Sequence, residues 1–274
     1  MPIITLTSDI GDKDYLVGAI KGRLWRSNKA FQIADISHNI TPFQFGEAAY
    51  FIRSAFHHFP EYSWHIILVN MFDNANPRCL LAFHEGHYFV CPDNGLLPMI
   101  FDGDPPLSIT LPLTPAQIPD MMQWIDEIAK AILRMDAGAS FQSLGTETEQ
   151  MVSRNNLKPN FSDDWIEGRI ILIDRFENVV VNINRELFEG VRKGRSFQIA
   201  FKAGDQINQI SDHYGQVNEG DKLAFFNSAG YLEIAVNKGN AAGLFGLKAY
   251  NSSASDQFLK SRLFYQTVRI FFNS

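Results

Sequence analysis

Four segments of this 274-residue chain carry side chains that could do chemistry. The first, Thr7-Ser8-Asp9-Ile10-Gly11-Asp12-Lys13-Asp14, crowds three carboxylates into one short turn. Asp9 can accept hydrogen bonds from both hydroxyls of a ribose. Asp14 stands near a helix start, where capping is its ordinary role, and a cap leaves Asp9 and Asp12 unexplained. The second segment, Asp35-Ile36-Ser37-His38, holds an acid and an imidazole that can form a polar pair or simply anchor a loop. The third, Asp174-Arg175-Phe176-Glu177-Asn178, offers a carboxylate, a ring and an amide in one turn. That set suits a nucleoside: acid for an amine or hydroxyl, ring for stacking, amide for a base edge. The alternative is a tight hairpin turn with Phe176 in the core. In the fourth, Asn227-Ser228-Ala229-Gly230 and Asn237-Lys238-Gly239-Asn240-Ala241-Ala242 flank an apolar run. Those residues are ordinary turn formers, and they also let a flat base approach the backbone closely.

The elements that must hold these segments are readable from periodicity. Ile3–Leu6, Phe31–Ala34 and Trp64–Val69 read as buried strands. Tyr15–Ser27 carries Leu16, Val17, Ile20 and Leu24 at helical spacing, and Phe45–His58 carries Ala48, Phe51, Ile52 and Ala55 on one face. Cys79–His84 and His87–Cys91 read as a hairpin turning at Glu85-Gly86, followed by the turn Pro92-Asp93-Asn94-Gly95 and a helix over Met121–Met135. Strands alternating with helices predict a layered α/β domain with a mostly parallel sheet, whose carboxyl edge carries the acidic turn. Asn155-Asn156, Pro159-Asn160 and Ser162-Asp163-Asp164 make a polar, turn-rich stretch. Beyond it Arg169–Ile173, Val179–Ile183, Ser196–Phe201, Lys222–Phe226 and Tyr231–Val236 predict an all-β, barrel-like domain. The expected division is an α/β domain over 1–157, a linker over 158–167 and a β-barrel domain over 168–274.

Bulk properties exclude several classes. A net charge of −6 supplies no basic stripe for a nucleic-acid backbone. No stretch reaches the ~18 unbroken apolar residues of a membrane helix, and the opening Met1-Pro2-Ile3-Ile4 lacks the pattern of a secretory signal, so a cytoplasmic location is expected. Cys79 and Cys91 lie in no CxxC pair, and no ligand cluster suggests a metal or a cofactor. If His84 pairs with His87, then Leu80 lies opposite Cys91 and Cys79 opposite Pro92. The two thiols then face opposite sides of the sheet and stay reduced.

The same segments form a recognisable series: Ser8-Asp9-Ile10-Gly11, Asp14, Val17-Gly18 and Lys21-Gly22; Asp35-Ile36-Ser37-His38 with Ile40-Thr41-Pro42; Pro92-Asp93-Asn94-Gly95; Asp174-Arg175-Phe176-Glu177-Asn178, with Glu177 where a glycine is usual; and Asn227 to Ala242. In this order the series resembles the S-adenosyl-L-methionine (SAM) hydroxide adenosyltransferases, relatives of the fluorinase and chlorinase enzymes. The resemblance implies an N-terminal α/β domain and a C-terminal β-barrel. It also implies a homotrimer that holds SAM, as substrate or ligand, between subunits. It implies that Asp9 holds the ribose hydroxyls, that Asp14 and Asp174 face the methionine amino group, and that Phe176 and Asn178 contact the adenine. It places Ser228 at the methionine carboxylate and Phe43 near the reacting carbon.

The family reaction displaces methionine from C5′ of SAM by water, giving adenosine and L-methionine. The sulfonium leaves as a neutral thioether, so the demand falls on aligning the water and taking its proton. The resemblance assigns that task to an Asp, an Arg and a His, and here this chain departs. In Val69-Asn70-Met71-Phe72-Asp73-Asn74-Ala75-Asn76-Pro77-Arg78, Asn70 stands for the Asp and Pro77 for the Arg, while Gln123 stands for the His. Asn and Gln orient water but take no proton near neutrality. Asp73 and Arg78 are the candidates to replace them. Two functions follow: a SAM hydrolase, either slow or using Asp73 and Arg78, or a protein that binds SAM or adenosine as a sensor or carrier without turnover.

Overall fold

Short apolar runs make the strands, buried on both faces at Ile3–Ser8 and Trp64–Leu68 and alternating in burial at Trp165–Ile173 and Thr267–Phe272, and amphipathic runs make helices that cover them. The computed structural model describes residues 1–273 except 74–75, 104, 106, 114–119, 149, 155–157, 203–204 and 247–266. Asn74 and Ala75 of the loop after the third strand, and Asn155-Asn156 of the polar stretch, therefore lie outside the described residues. Two units partition the chain, Met1–Asn156 and Leu157–Ser274.

The first unit runs β1 (Ile3–Ser8), α1 (Leu16–Ser27), β2 (Gln32–Ser37), α2 (Phe45–Ala55), β3 (Trp64–Leu68), β4 (Cys79–His84), β5 (His87–Pro92), α3 (Leu96–Phe101), β6 (Leu107–Thr110), α4 (Met121–Asp136) and β7 (Thr146–Glu147). Its sheet has the order β2-β1-β3-β5-β4-β6-β7. The β2-β1-β3-β5 side is parallel, and the β5-β4-β6-β7 side is antiparallel. The sheet is thus mixed, because β4 and β5 are joined by a two-residue turn that only an antiparallel pair can use. Glu85 and Gly86 both take positive φ there, 47° and 81°, as a twisted hairpin requires.

Alternation along the strands feeds two cores. Ile4, Leu6, Ile66, Cys79 and Leu81 pack with Ile20 and Leu24 of α1 and with Trp124, Ile125 and Ile128 of α4. On the other face Ile67, Leu80, Ala82, Phe89 and Cys91 pack with Ala48 and Ile52 of α2 and Leu96 and Leu97 of α3. The hairpin register is Cys79 with Pro92, Leu80 with Cys91 and His84 with His87, as the alternation predicts. Both cysteines are free and buried, one in each core. Strand β1 lies between β2 and β3, so the chain leaves it in one direction through α1 and returns past it through α2. The crevice at the carboxyl ends of β1 and β3 is therefore the topological switch point, where open α/β sheets bind ligands.

The second unit is antiparallel throughout. It comprises β8 (Asn160–Phe161), β9 (Trp165–Ile173), β10 (Val179–Asn184), α5 (Arg185–Arg192), β11 (Phe197–Lys202), β12 (Asp205–Ile207), β13 (Lys222–Phe226), β14 (Tyr231–Val236), α6 (Ala241–Leu244) and β15 (Thr267–Phe272). The strand order is β12-β11-β15-β9-β10-β14-β13, with β8 on β9. Just past β12, the Ser211 amide donates to Ala224 O of β13 at 2.8 Å, so the two edges approach and the sheet is nearly a barrel. Its core gathers Ile166, Val181, Phe188, Ile199, Ile234 and Ile270. Asn160–Phe161 and Trp165–Glu167, inside the stretch expected to be linker, pair with each other as β8 and the start of β9. Among the described residues no helix is long and apolar enough to cross a membrane.

Candidate functional site

At the switch point the loops after β1, β2, β3 and β5 are knitted together. The half-buried Asp9 follows β1, and its Oδ2 accepts the Asn70 amide after β3 at 3.0 Å. Burial raises the Asp9 carboxyl above its ordinary value, against the opposing pull of that backbone donor. The Gly11 amide donates to His38 O at 2.7 Å, and the Ile40 amide to Ser8 O at 3.3 Å. His38 is buried, with Nδ1 2.7 Å from Ser8 Oγ and Nε2 3.1 Å from Asp35 Oδ1. Asp35 also takes Lys21 Nζ at 2.6 Å. Burial would raise Asp35, but Lys21 and His38 outweigh it and hold the carboxyl low. Both readings of that segment therefore hold at once: the acid and imidazole pair, and the pair anchors a loop.

Asp14 does what the simpler reading expects, accepting the Leu16 amide at 2.8 Å at the start of α1. Phe43 is exposed and takes φ +66°, while Asn70 takes φ +46°. Non-glycine residues in the left-handed region cost energy and gather at functional sites. Here both lie at the carboxyl edge of the parallel strands.

The loop from Asn70 to Arg78 divides in two. Asn70 Nδ2 donates to Asp73 Oδ1 at 2.7 Å, and Asp73 Oδ2 meets Arg154 Nη2. Arg78 turns elsewhere: its Nη2 pairs with the buried Asp93 and reaches Gln150 O at 2.7 Å. Asp93 Oδ1 accepts the Val152 amide at 2.8 Å, and Asn94 Nδ2 donates to Val69 O at 2.9 Å. The structure thus separates Asp73 from Arg78 and joins Asp73 to Arg154. Gln123 is exposed on the first turn of α4 and, among the described residues, joins none of these contacts, although neighbouring Trp124 lies edge-on to Phe72 at 6.1 Å.

In the second unit the remaining segments converge on one carboxylate. Asn178 is buried, and its Nδ2 lies 2.9 Å from Glu233 Oε1, 2.8 Å from Tyr214 Oη and 3.2 Å from Asp174 Oδ2. Asn227 Nδ2 donates to Glu233 Oε2 at 3.1 Å. Burial raises the Glu233 carboxyl, and nearby Asp174 adds to that. Tyr214 is pushed up to about 12, by burial first and by Glu233 next. Asp174 Oδ1 accepts the amides of Phe176 and Asn178 at 2.9 and 2.8 Å, which shapes the turn between β9 and β10. Phe176 is 75 % exposed, so the core reading of that ring is wrong. Instead Phe176, Asn178, Tyr214, Val236 and the turn Asn237-Lys238-Gly239 line a pocket of about 400 Å³. A β-carbon at Gly239 would stand 2.5 Å from Val236 Cγ1, so only glycine keeps this wall thin. Ser228 is exposed in the β13–β14 turn, where Asn227 Oδ1 accepts the amides of Ala229 and Tyr231, each at 3.1 Å.

Sequence reasoning passed over Glu233, Tyr214 and Arg154. A lone acid inside the apolar strand Leu232-Glu233-Ile234-Ala235-Val236 was the available signal for the first; the other two carry none that is local.

Residues 4–145 match the model of the SAM hydroxide adenosyltransferase N-terminal domain, and residues 168–252 that of its C-terminal domain. The chain belongs to the SAM hydroxide adenosyltransferase family. Its similarity to named members of that family runs nearly end to end. It is 27% identical to an (R)-S-adenosyl-L-methionine hydrolase of Thermus thermophilus, over 88% of this chain and 94% of that protein. A Methanocaldococcus jannaschii (R)-S-adenosyl-L-methionine hydrolase is also 27% identical, over 89% and 92%. A Nocardia brasiliensis fluorinase is 25% identical over 90% and 94%. A conserved protein of Thermotoga maritima shares the fold of this chain with a TM-score of 0.79 at 23% identity, covering 98% and 99% of the two chains.

Proposed function

We propose that this protein binds SAM and hydrolyses it at C5′, releasing adenosine and L-methionine. The observation that carries this reading is the pocket beside Phe176 and Asn178 in a chain whose two domains both match the family. An exposed ring, a buried amide and a thin glycine wall suit a flat base. The half-buried Asp9 at the switch point suits a ribose, since its desolvated carboxylate gains by accepting two hydroxyls. The substrates named for the relatives support SAM in its (R)-sulfonium form. In keeping with the family resemblance, the working assembly is a cytoplasmic homotrimer with SAM held between subunits. Asp14 and Asp174 then serve the amino group, Ser228 the carboxylate and Phe43 the surroundings of C5′.

The test is incubation of the purified protein with (R)-SAM. Chromatography should detect adenosine and methionine in equal amounts, calorimetry should detect SAM binding, and sedimentation should give three times the chain mass. Binding without products overturns hydrolysis and leaves a SAM-binding protein; no binding overturns both.

A further inference from the structure

Arg154 is held at the strand ends by four contacts. Its Nε donates to Asn94 O at 2.5 Å, and its guanidinium carbon lies 4.1 Å from the centroid of the Phe45 ring. Its aliphatic stem lies so close to Gly95 that a β-carbon there would stand 2.5 Å from Arg154 Cγ. Gly95 itself takes φ +89°, so both the turn and the contact call for glycine. The segment bearing Arg154 is fastened just upstream, through Gln150 O to Arg78 and through the Val152 amide to Asp93. The fourth contact of Arg154 is its ion pair with Asp73.

Asp73 in turn receives Asn70 Nδ2, and the Asn70 amide is bound to Asp9. Arg154, Asp73, Asn70 and Asp9 therefore form one continuous chain across the carboxyl ends of β3 and β1. A carboxylate has about four acceptor positions. Arg154 and Asn70 occupy two of those on Asp73, and the side chain remains one-third exposed, at 33%. It can still accept from a water. Asn70 carries no proton acceptor of that kind, and Arg78 is committed to Asp93.

We propose that Asp73 takes the proton of the attacking water, and that Arg154 is the positioning residue that aims it. The inference rests on the SAM-hydrolysis reading above. In the step, a water oxygen lone pair forms the O–C5′ bond. The C5′–S bond breaks with its electron pair going to sulfur, which leaves as the neutral thioether of methionine. The water proton passes to the Asp73 carboxylate and then to solvent, so SAM and water give adenosine, methionine and one proton. Arg154 touches neither water nor SAM in this scheme. It restricts the Asp73 carboxylate to one orientation, which matters because such steps tolerate little misplacement.

The test compares wild type with Asp73→Asn, Arg154→Ala, Arg154→Lys and the double variant Asp73→Asn/Arg154→Ala, using (R)-SAM. It reads kcat, KM, the calorimetric SAM affinity and the pH profile of kcat. Asp73→Asn should lower kcat by ~10²–10⁴-fold and abolish the acid limb of the pH profile, with SAM affinity unchanged. Arg154→Ala should lower kcat and shift that limb, and Arg154→Lys should restore part of the rate. The double variant should be no slower than Asp73→Asn alone, since Arg154 acts only through Asp73. Should Arg154→Ala fail to fold, Asp73→Asn and Arg154→Lys carry the test. A wild type that turns over while Asp73→Asn keeps its kcat and pH profile overturns this inference and leaves hydrolysis standing. Additive losses in the double variant, or losses of affinity equal to the loss of kcat/KM, also overturn it. A wild type that yields no adenosine overturns the hydrolysis reading and this inference together.

Discussion

Asn178, in the turn before β10, meets Glu233 of the neighbouring strand β14, Nδ2 to Oε1 at 2.9 Å, and both are buried. Glu233 Oε2 takes Asn227 Nδ2 on its other side. The carboxylate thus answers two amide donors, one from each of the turns that carry predicted ligand contacts. Glu233→Gln keeps the shape but offers one acceptor and one donor, so one asparagine must face an N–H group. Leaving a buried polar group unpaired costs ~1–3 kcal/mol. The second domain of Glu233→Gln should melt earlier, and calorimetry should show weaker adenosine binding than in wild type. Unchanged adenosine affinity would show that Glu233 does not shape the pocket.

Much of the local structure within each unit was legible in the sequence. Asp9 follows a buried strand, and period-two alternation alone separates Cys79 from Cys91 onto opposite faces. Phe176 and Asn178 share a five-residue turn whose composition already suggests a base. What escaped was long-range or short. Arg154 gains its meaning from Asp73, 81 residues away, and stands just before the polar stretch, outside any element with a readable period. Helix α5 has eight residues, and its cap Asn184 also ends β10, so no helical period had room to show.

Glu177 stands in the turn between β9 and β10 at φ +63°. The family pattern has glycine there, and glycine adopts that conformation freely. The left-handed conformation costs a side-chain-bearing residue ~1–2 kcal/mol, partly offset by the greater unfolded-state entropy of glycine. Glu177→Gly should therefore stabilise the second domain by about 0.5–1 kcal/mol in urea denaturation, because strain exceeds entropy. A neutral or destabilising result would mean that the Glu177 side chain makes contacts worth more than the strain it brings.

Among the described residues Arg78 is the only cation paired with Asp93, which is nearly inaccessible, with 3% of its side chain exposed. Removing the cation strands a buried carboxylate. Arg78→Met should destabilise the first domain by roughly 2–3 kcal/mol, below the full cost of breaking a buried pair because Arg78 itself is part-exposed. SAM affinity per folded molecule should be unchanged. The double variant Arg78→Met/Asp93→Asn should recover part of the loss. A variant of normal stability that had lost turnover would instead place Arg78 in the chemistry.

His65 of β3 is buried against Phe56 and Phe89, with Nδ1 2.8 Å from Thr5 Oγ1 and Nε2 3.1 Å from His87 Nδ1. Burial, then repulsion from His87 and His57, lowers its pKa to about 3. A histidine depressed in the folded state stays neutral while the unfolded chain takes up a proton near pH 6.5. Its contribution to stability is therefore complete above that pH and drains away as pH falls toward 3. The slope is about 1.4 kcal/mol per pH unit for one proton. Chemical denaturation of the first domain between pH 7 and pH 5 should show that loss. In His65→Leu the domain should be weaker at pH 7, since Thr5 and His87 lose a buried partner, yet its stability should fall less steeply on acidification. Equal slopes in the two proteins would mean that His65 does not set the acid sensitivity of this domain.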